Sequence, residues 1–191
     1  MTRLPLRTID DAPQAAKELL VAAEKRSGFL PNLLRILANA PVALQTYLTV
    51  SGINARSSLS IAERETVQIT AAAMHGCGFC VAGHTAAAYK QAGLDEETVE
   101  ALRNLAPVPN DRLEAVARFT NAVIATRGRV DDAEFEAFKA VGFTDESALE
   151  VVLGVSLATL CNFANNLGGA PLNPQLEPYR WDGVSSTRGG A

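Results

Sequence analysis

Residues 60–93 read SIAERETVQITAAAMHGCGFCVAGHTAAAYKQAG, and the punctuation of this run decides the fold. Ser60 stands three residues before Glu63, the spacing of a capping box: the hydroxyl accepts from an early helix amide and the carboxylate accepts from the cap amide. A helix is therefore predicted from Ser60 to about His75, where Gly76 and Gly78 permit a break. A second helix is predicted from near Cys77 to Gly93, a residue suited to the left-handed turn that closes a helix. No Asp, Glu, Lys or Arg occurs from Thr66 to Tyr89. A helix pair this free of charge belongs in an interior.

Working outward, the same kind of punctuation recurs. Pro13 opens a helical pattern that ends at Gly28, and Pro31 opens a short one that stops before Pro41. Further helices are predicted from Pro41 to Asn54, from Asp95, and near Asp111–Arg127, Asp132–Val141 and Asp145–Leu167. Period-2 alternation is scarce, so no strand pattern competes. The expected fold is all-α: a single-domain bundle of about eight helices over residues 1–170, with its motif core at 59–94. A Pro-rich extended arm with a frayed tail is expected over 171–191.

Composition bounds the function. The chain has 191 residues, 48% apolar, with 17 basic against 21 acidic side chains and a net charge of −4. That is ample apolar content for a packed core, and there is no basic field to draw nucleic acid or anionic lipid. A second stretch, Val151 to Leu176, also lacks charge. Asn162, Asn165, Asn166 and two prolines interrupt it, as Gln68, His75, His84 and several glycines interrupt the first. Neither offers about twenty apolar residues in a row, so no membrane span is expected. The N-terminal residues lack an apolar h-region, which gives a cytoplasmic expectation. Three cysteines are a poor basis for a disulfide scaffold.

Two of those cysteines, Cys77 and Cys80, carry the chemistry together with His84. Offsets of three and four place all three on one helical face, and His84 is within i, i+4 reach of the Cys80 sulfur. Cys77 lies at the helix start, where exposed amides favour thiolate. Glu65 stands twelve residues before Cys77, and a hairpin broken at Gly76 would return its carboxylate over the Cys/His face. A thiol must ionise to attack an O–O bond, and an ordinary one, with a pKa of about 8.5, is mostly protonated at neutral pH. A neighbouring His can take the proton and a carboxylate can orient that His. The resulting sulfenic acid condenses with a second thiol to a disulfide.

The alternative is zinc, with His75, Cys77, Cys80 and His84 as a two-N, two-S set for a zinc-stabilised binding module. All four fall within ten residues, whereas structural zinc sites usually draw ligand pairs from separate segments. His75 otherwise reads as a polar contact at the helix end. Cys161 has no His near it in sequence and reads as a core residue. Asn162, Asn165 and Asn166 read as hydrogen-bonding groups, and Tyr179 and Trp181 as anchors for the arm.

Glu65…Cys77-x-x-Cys80-x-x-x-His84-Thr with Gly93-Leu94 resembles the alkylhydroperoxidase D and carboxymuconolactone decarboxylase-like family, in its peroxidase-related branch. Phe29-Leu-Pro-Asn-Leu-Leu, Leu59-Ser-x-x-Glu-Arg-Glu and Asn162-Phe-x-Asn extend the resemblance over roughly residues 25–170. It implies a helical homotrimer or homohexamer that reduces alkyl or hydrogen peroxides. In that reading Cys80 is the peroxidatic thiol, Cys77 the resolving thiol, and Glu65 with His84 the proton relay. The only cofactor implied is a redox-active Cys77–Cys80 disulfide, renewed by an external dithiol. Some members of the family carry a second His where this sequence has Phe79, which implies a modest turnover here. Lactone-decarboxylating members generally lack the Cys pair, so a lactone or metabolite-processing role with a regulatory Cys pair is the remaining family alternative.

Overall fold

The computed structural model describes residues 2–184, and the tail residues 185–191 named above lie outside them. Among the described residues nine α-helices follow one another and no strand forms. They are α1 (Gln14–Ser27), α2 (Asn32–Leu37), α3 (Pro41–Asn54), α4 (Ile61–Met74), α5 (Gly78–Ala87), α6 (Glu96–Arg103), α7 (Asp111–Thr126), α8 (Asp132–Ala140) and α9 (Asp145–Gly168). The all-α reading is borne out, with a count of nine. A π-helical turn, Ala88–Ala92, carries α5 on to Gly93, so the second predicted helix reaches its expected end.

The central hairpin forms from its own punctuation. Glu63 N–H donates to Ser60 Oγ at 3.2 Å, and Ser60 N–H donates to a Glu63 carboxylate oxygen at 2.7 Å. The other Glu63 oxygen accepts from Arg112 Nε at 2.6 Å, which ties α4 to α7. At its far end α4 closes in a Schellman motif: Cys77 N–H donates to Ala72 O at 2.9 Å and Gly76 N–H to Ala73 O at 3.1 Å. Gly76 has φ of +64°, a value that costs a residue with a Cβ and costs glycine little. The chain turns back there, and α5 runs beside α4.

Helix α4 is enclosed by α5, α6, α7 and α9, and Thr66 to Ala73 are all buried. Small side chains at 71–73 let the neighbours approach. The closest approach is made by α9 at Gly154, where a Cβ would stand 2.9 Å from Val67 Cγ1. The Gly154 carbonyl also accepts from the buried Gln68 side chain at 3.0 Å. G154A is expected to push α9 off α4 and to cost about 1–3 kcal/mol, read as a lower urea midpoint.

Helix α9 has the length and hydropathy of a membrane-spanning helix by composition. It lies against α2, α3, α4, α5 and α7 and buries Asn162 and Asn165. That is the setting of a bundle's core helix.

The arm differs from the expectation of an extended segment, because Pro174–Tyr179 winds into a 3₁₀ helix packed on α5. Asn173 holds its start, accepting from Asn32 N–H at 2.8 Å and donating to Leu30 O at 3.3 Å. Trp181 holds its end, donating from the indole to Arg103 O at 3.1 Å. The two anchoring residues therefore dock on the body of the same chain.

Candidate active site

The hairpin brings Glu65, on the second turn of α4, over His84 on α5. His84 Nδ1 lies 2.8 Å from Glu65 Oε2. Bonded to a carboxylate, Nδ1 keeps its hydrogen and leaves Nε2 to exchange protons. Burial opposes charge on the ring, but the Glu65 carboxylate outweighs it, and the His84 pKa stands above its ordinary value. The imidazolium thus persists further into the neutral range.

The hydrogen bond expected from His84 to Cys80 does not form. The ring's hydrogen bond runs from Nδ1 to Glu65. His84 acts on the sulfurs through its charge, which favours thiolate at both Cys77 and Cys161.

All three cysteines are free and buried. Cys77 is the N-cap of α5. Its pKa is lowered by the Cys80 thiol first, then by the Cys80 amide and the Asn165 carboxamide, against the effect of burial. Asn165 Nδ2 lies 3.7 Å from the Cys77 sulfur. Cys80 sits between two sulfurs and holds its proton well above the ordinary thiol value. The Cys161 sulfur is the main cause, followed by Cys77 and burial. Cys161 is lowered by the same contact with Cys80. The three thiols form one proton-sharing cluster, whose ionisation belongs to the group and not to one residue.

Cys161 is buried in the core as its reading expects, and it also lines the cavity that Cys80 lines. It is 81 positions from Cys80 in sequence, yet it is the neighbour that most raises the Cys80 pKa. Sequence reasoning also missed the aim of the asparagines. Asn165 serves Cys77, whereas Asn162 Oδ1 is 3.0 Å from His75 Nδ1 and Asn166 donates to His75 O at 2.9 Å. His75 packs edge-on against Phe163 at 4.9 Å, turned away from the other three residues of the zinc alternative. Among the described residues no group of three or more His, Cys, Asp or Glu side chains is arranged to hold a metal.

A cavity of about 660 Å³ opens onto this cluster. Cys80, Cys161, Glu65, His84, Tyr47 and Phe79 are among its lining residues. Apolar groups such as Phe29, Leu34 and Leu176 line its walls, and Arg26, Lys90 and Gln91 stand among the polar groups around it. Leu176 is supplied by the arm. Burial, with the nearby Cys161 and Cys80 charges, raises the Tyr47 pKa, so the phenol stays protonated. Cys77 does not line the cavity and has no exposed surface. A second cavity of about 230 Å³ reaches Tyr47, Glu65 and His84 beside Arg64. The Glu65–His84 pair is therefore open to both.

Residues 41–122 match the model of the Carboxymuconolactone decarboxylase family, in line with the resemblance drawn from the motifs. Among solved structures, the alkylhydroperoxidase AhpD core of an uncharacterized peroxidase-related protein from Ralstonia eutropha JMP134 is similar at 23% identity. It covers 92% of this chain and 94% of that one, with a TM-score of 0.82. An uncharacterized peroxidase-related protein from Silicibacter sp. TM1040 is 20% identical, covering 93% and 94%, with a TM-score of 0.77. A cysteine-to-alanine variant of the debrominase Bmp8, in complex with 2,3,4-tribromopyrrole, is 16% identical over 94% and 96%, with a TM-score of 0.76. These likenesses show the fold. No curated protein matches the chain.

Proposed function

We propose that this chain, whose residues 41–122 fall within the carboxymuconolactone decarboxylase family and whose fold is that of the alkylhydroperoxidase core, is a thiol-dependent peroxidase. The observation that carries the reading is the shared cavity: a buried thiol, Cys80, and a carboxylate-held imidazole, His84, line the same pocket.

Cys80 is the reacting sulfur because it faces the cavity and Cys77 does not. Its proton has sulfur acceptors on either side, and the His84 charge keeps negative charge on the cluster. Cys80 passes its proton to a neighbouring thiolate, Cys77 or Cys161, as it attacks one peroxide oxygen, so an S–O bond forms and the O–O bond breaks. The leaving alkoxide takes a proton and departs as alcohol. A second thiolate, Cys77 in the simplest course, then attacks the sulfenic sulfur. The products are a Cys77–Cys80 disulfide and water. An external dithiol returns both sulfurs to thiols, and the protein needs no other cofactor.

The cavity's size and apolar walls favour a peroxide with an organic body over hydrogen peroxide. Leu149, Phe163 and Leu167 are more than half exposed on α9, which supports a homo-oligomer; a trimer or hexamer and a cytoplasmic setting go with the family resemblance alone. The test is peroxide loss in the presence of dithiothreitol. Catalytic loss is expected, faster with cumene hydroperoxide than with hydrogen peroxide. Loss no faster than without protein would contradict the assignment.

A further inference from the structure

Cys161 belongs to the reaction surface. It comes from α9, the helix that packs against both α4 and α5, and it is 1% exposed. Yet it lines the same cavity as Cys80, Glu65 and His84. Its own S–H is turned to the Ala158 carbonyl, 3.3 Å away, and its sulfur accepts from Asn162 Nδ2 at 3.8 Å. Cys161 acts most strongly of all its neighbours on the Cys80 proton, and the two side chains open onto one cavity from packed helices. Cys77 has no exposed surface and does not line that cavity.

A peroxide entering the pocket thus meets Cys80 with Cys161 on its own side. We propose that Cys161 is a second resolving thiol: it condenses with the Cys80 sulfenic acid to form a Cys80–Cys161 disulfide that joins α5 to α9. This rests on the peroxidase reading above. The step balances, because the Cys161 sulfur bonds to the Cys80 sulfur and the S–OH bond breaks. The hydroxyl leaves as water with the thiol proton, and the peroxide has already accepted the two electrons. Cys77 can then attack Cys80 in this disulfide, releasing Cys161 and forming the Cys77–Cys80 bridge by exchange with no further oxidant.

The bridge within α5 alone would leave the helix packing untouched. The bridge between α5 and α9 ties two helices at the floor of the pocket. Oxidised enzyme would then hold the cavity in a single shape until a dithiol releases it.

The sequence makes the two bridges easy to tell apart. There is no Lys or Arg between Arg64 and Lys90, or between Lys139 and Arg180. Trypsin therefore leaves Cys77 and Cys80 on one peptide, 65–90, and Cys161 on another, 140–180. The wild-type protein and C77S are each treated with one equivalent of cumene hydroperoxide, quenched with alkylating agent, digested without reductant and mapped by mass spectrometry. A parallel sample receives dimedone.

C77S is expected to give a cross-linked pair of these peptides through Cys80 and Cys161, with little dimedone adduct. C77S/C161S is expected to give the dimedone adduct on Cys80. If C77S instead accumulates that adduct while Cys161 is alkylated, the proposal falls and the peroxidase reading stands. If wild type loses no thiol, both fall. Should C77S not fold, wild type quenched within the first turnover decides: the inter-peptide link is expected among its first disulfides, and its absence overturns the proposal.

Discussion

C80S is expected to lower dithiol-dependent peroxide consumption to the protein-free rate, a loss on the order of 10³-fold or more. A hydroxyl does not ionise near neutral pH and is a poor nucleophile toward an O–O bond. The replacement is nearly isosteric at a position 3% exposed, so the fold is expected to survive, as a circular dichroism melt will show. Neither flanking thiol replaces Cys80. Cys77 is shut off from the cavity, and Cys161 in the variant has a hydroxyl beside it where the Cys80 thiol stood. A C80S protein with the full wild-type rate would assign the chemistry to another group.

The second large effect is expected from E65Q. A Gln oxygen still accepts from His84 Nδ1, so the ring keeps its place and only the charge is lost. With the carboxylate gone, burial dominates, and the His84 pKa is expected to fall from its raised value to below about 6.5. The imidazolium population then falls, along with its support for negative charge on Cys77 and Cys161. The rate is expected to drop roughly 10–100-fold and to recover in part as the pH is lowered. The stability contribution has the same sign. A raised imidazole pKa stabilises the fold below the unfolded value of about 6.5, and the gain is lost as pH rises through the folded value. The chain has two histidines, so proton NMR can follow both. The His84 titration should move downward in E65Q, and an unmoved His84 would contradict the account.

The sequence was most legible where function and fold share local rules. Ser60 and Glu63 announce the start of α4, Gly76 its turn, and Gly93 the end of the helix that follows. The twelve-residue step from Glu65 to Cys77 across that turn was enough to place the carboxylate near the imidazole. Contacts between distant segments were not legible. Cys161 reaches Cys80, and Asn165 reaches Cys77, because α9 crosses the hairpin at Gly154, and no periodicity encodes that crossing. The i, i+4 rule placed His84 beside Cys80 correctly but could not say which neighbour the ring would bond. The arm was read as extended from its prolines, although Pro174 suits the first turn of a 3₁₀ helix and Asn173 fastens it.

The central claim is that peroxide is reduced by two electrons drawn from this thiol cluster, whichever partner Cys80 joins. It is tested most directly by counting thiols. Reduced protein, freed of reductant and then denatured, should titrate for three thiols. After one equivalent of cumene hydroperoxide it should titrate for one, with the peroxide gone. Three thiols remaining after the same treatment would contradict the account.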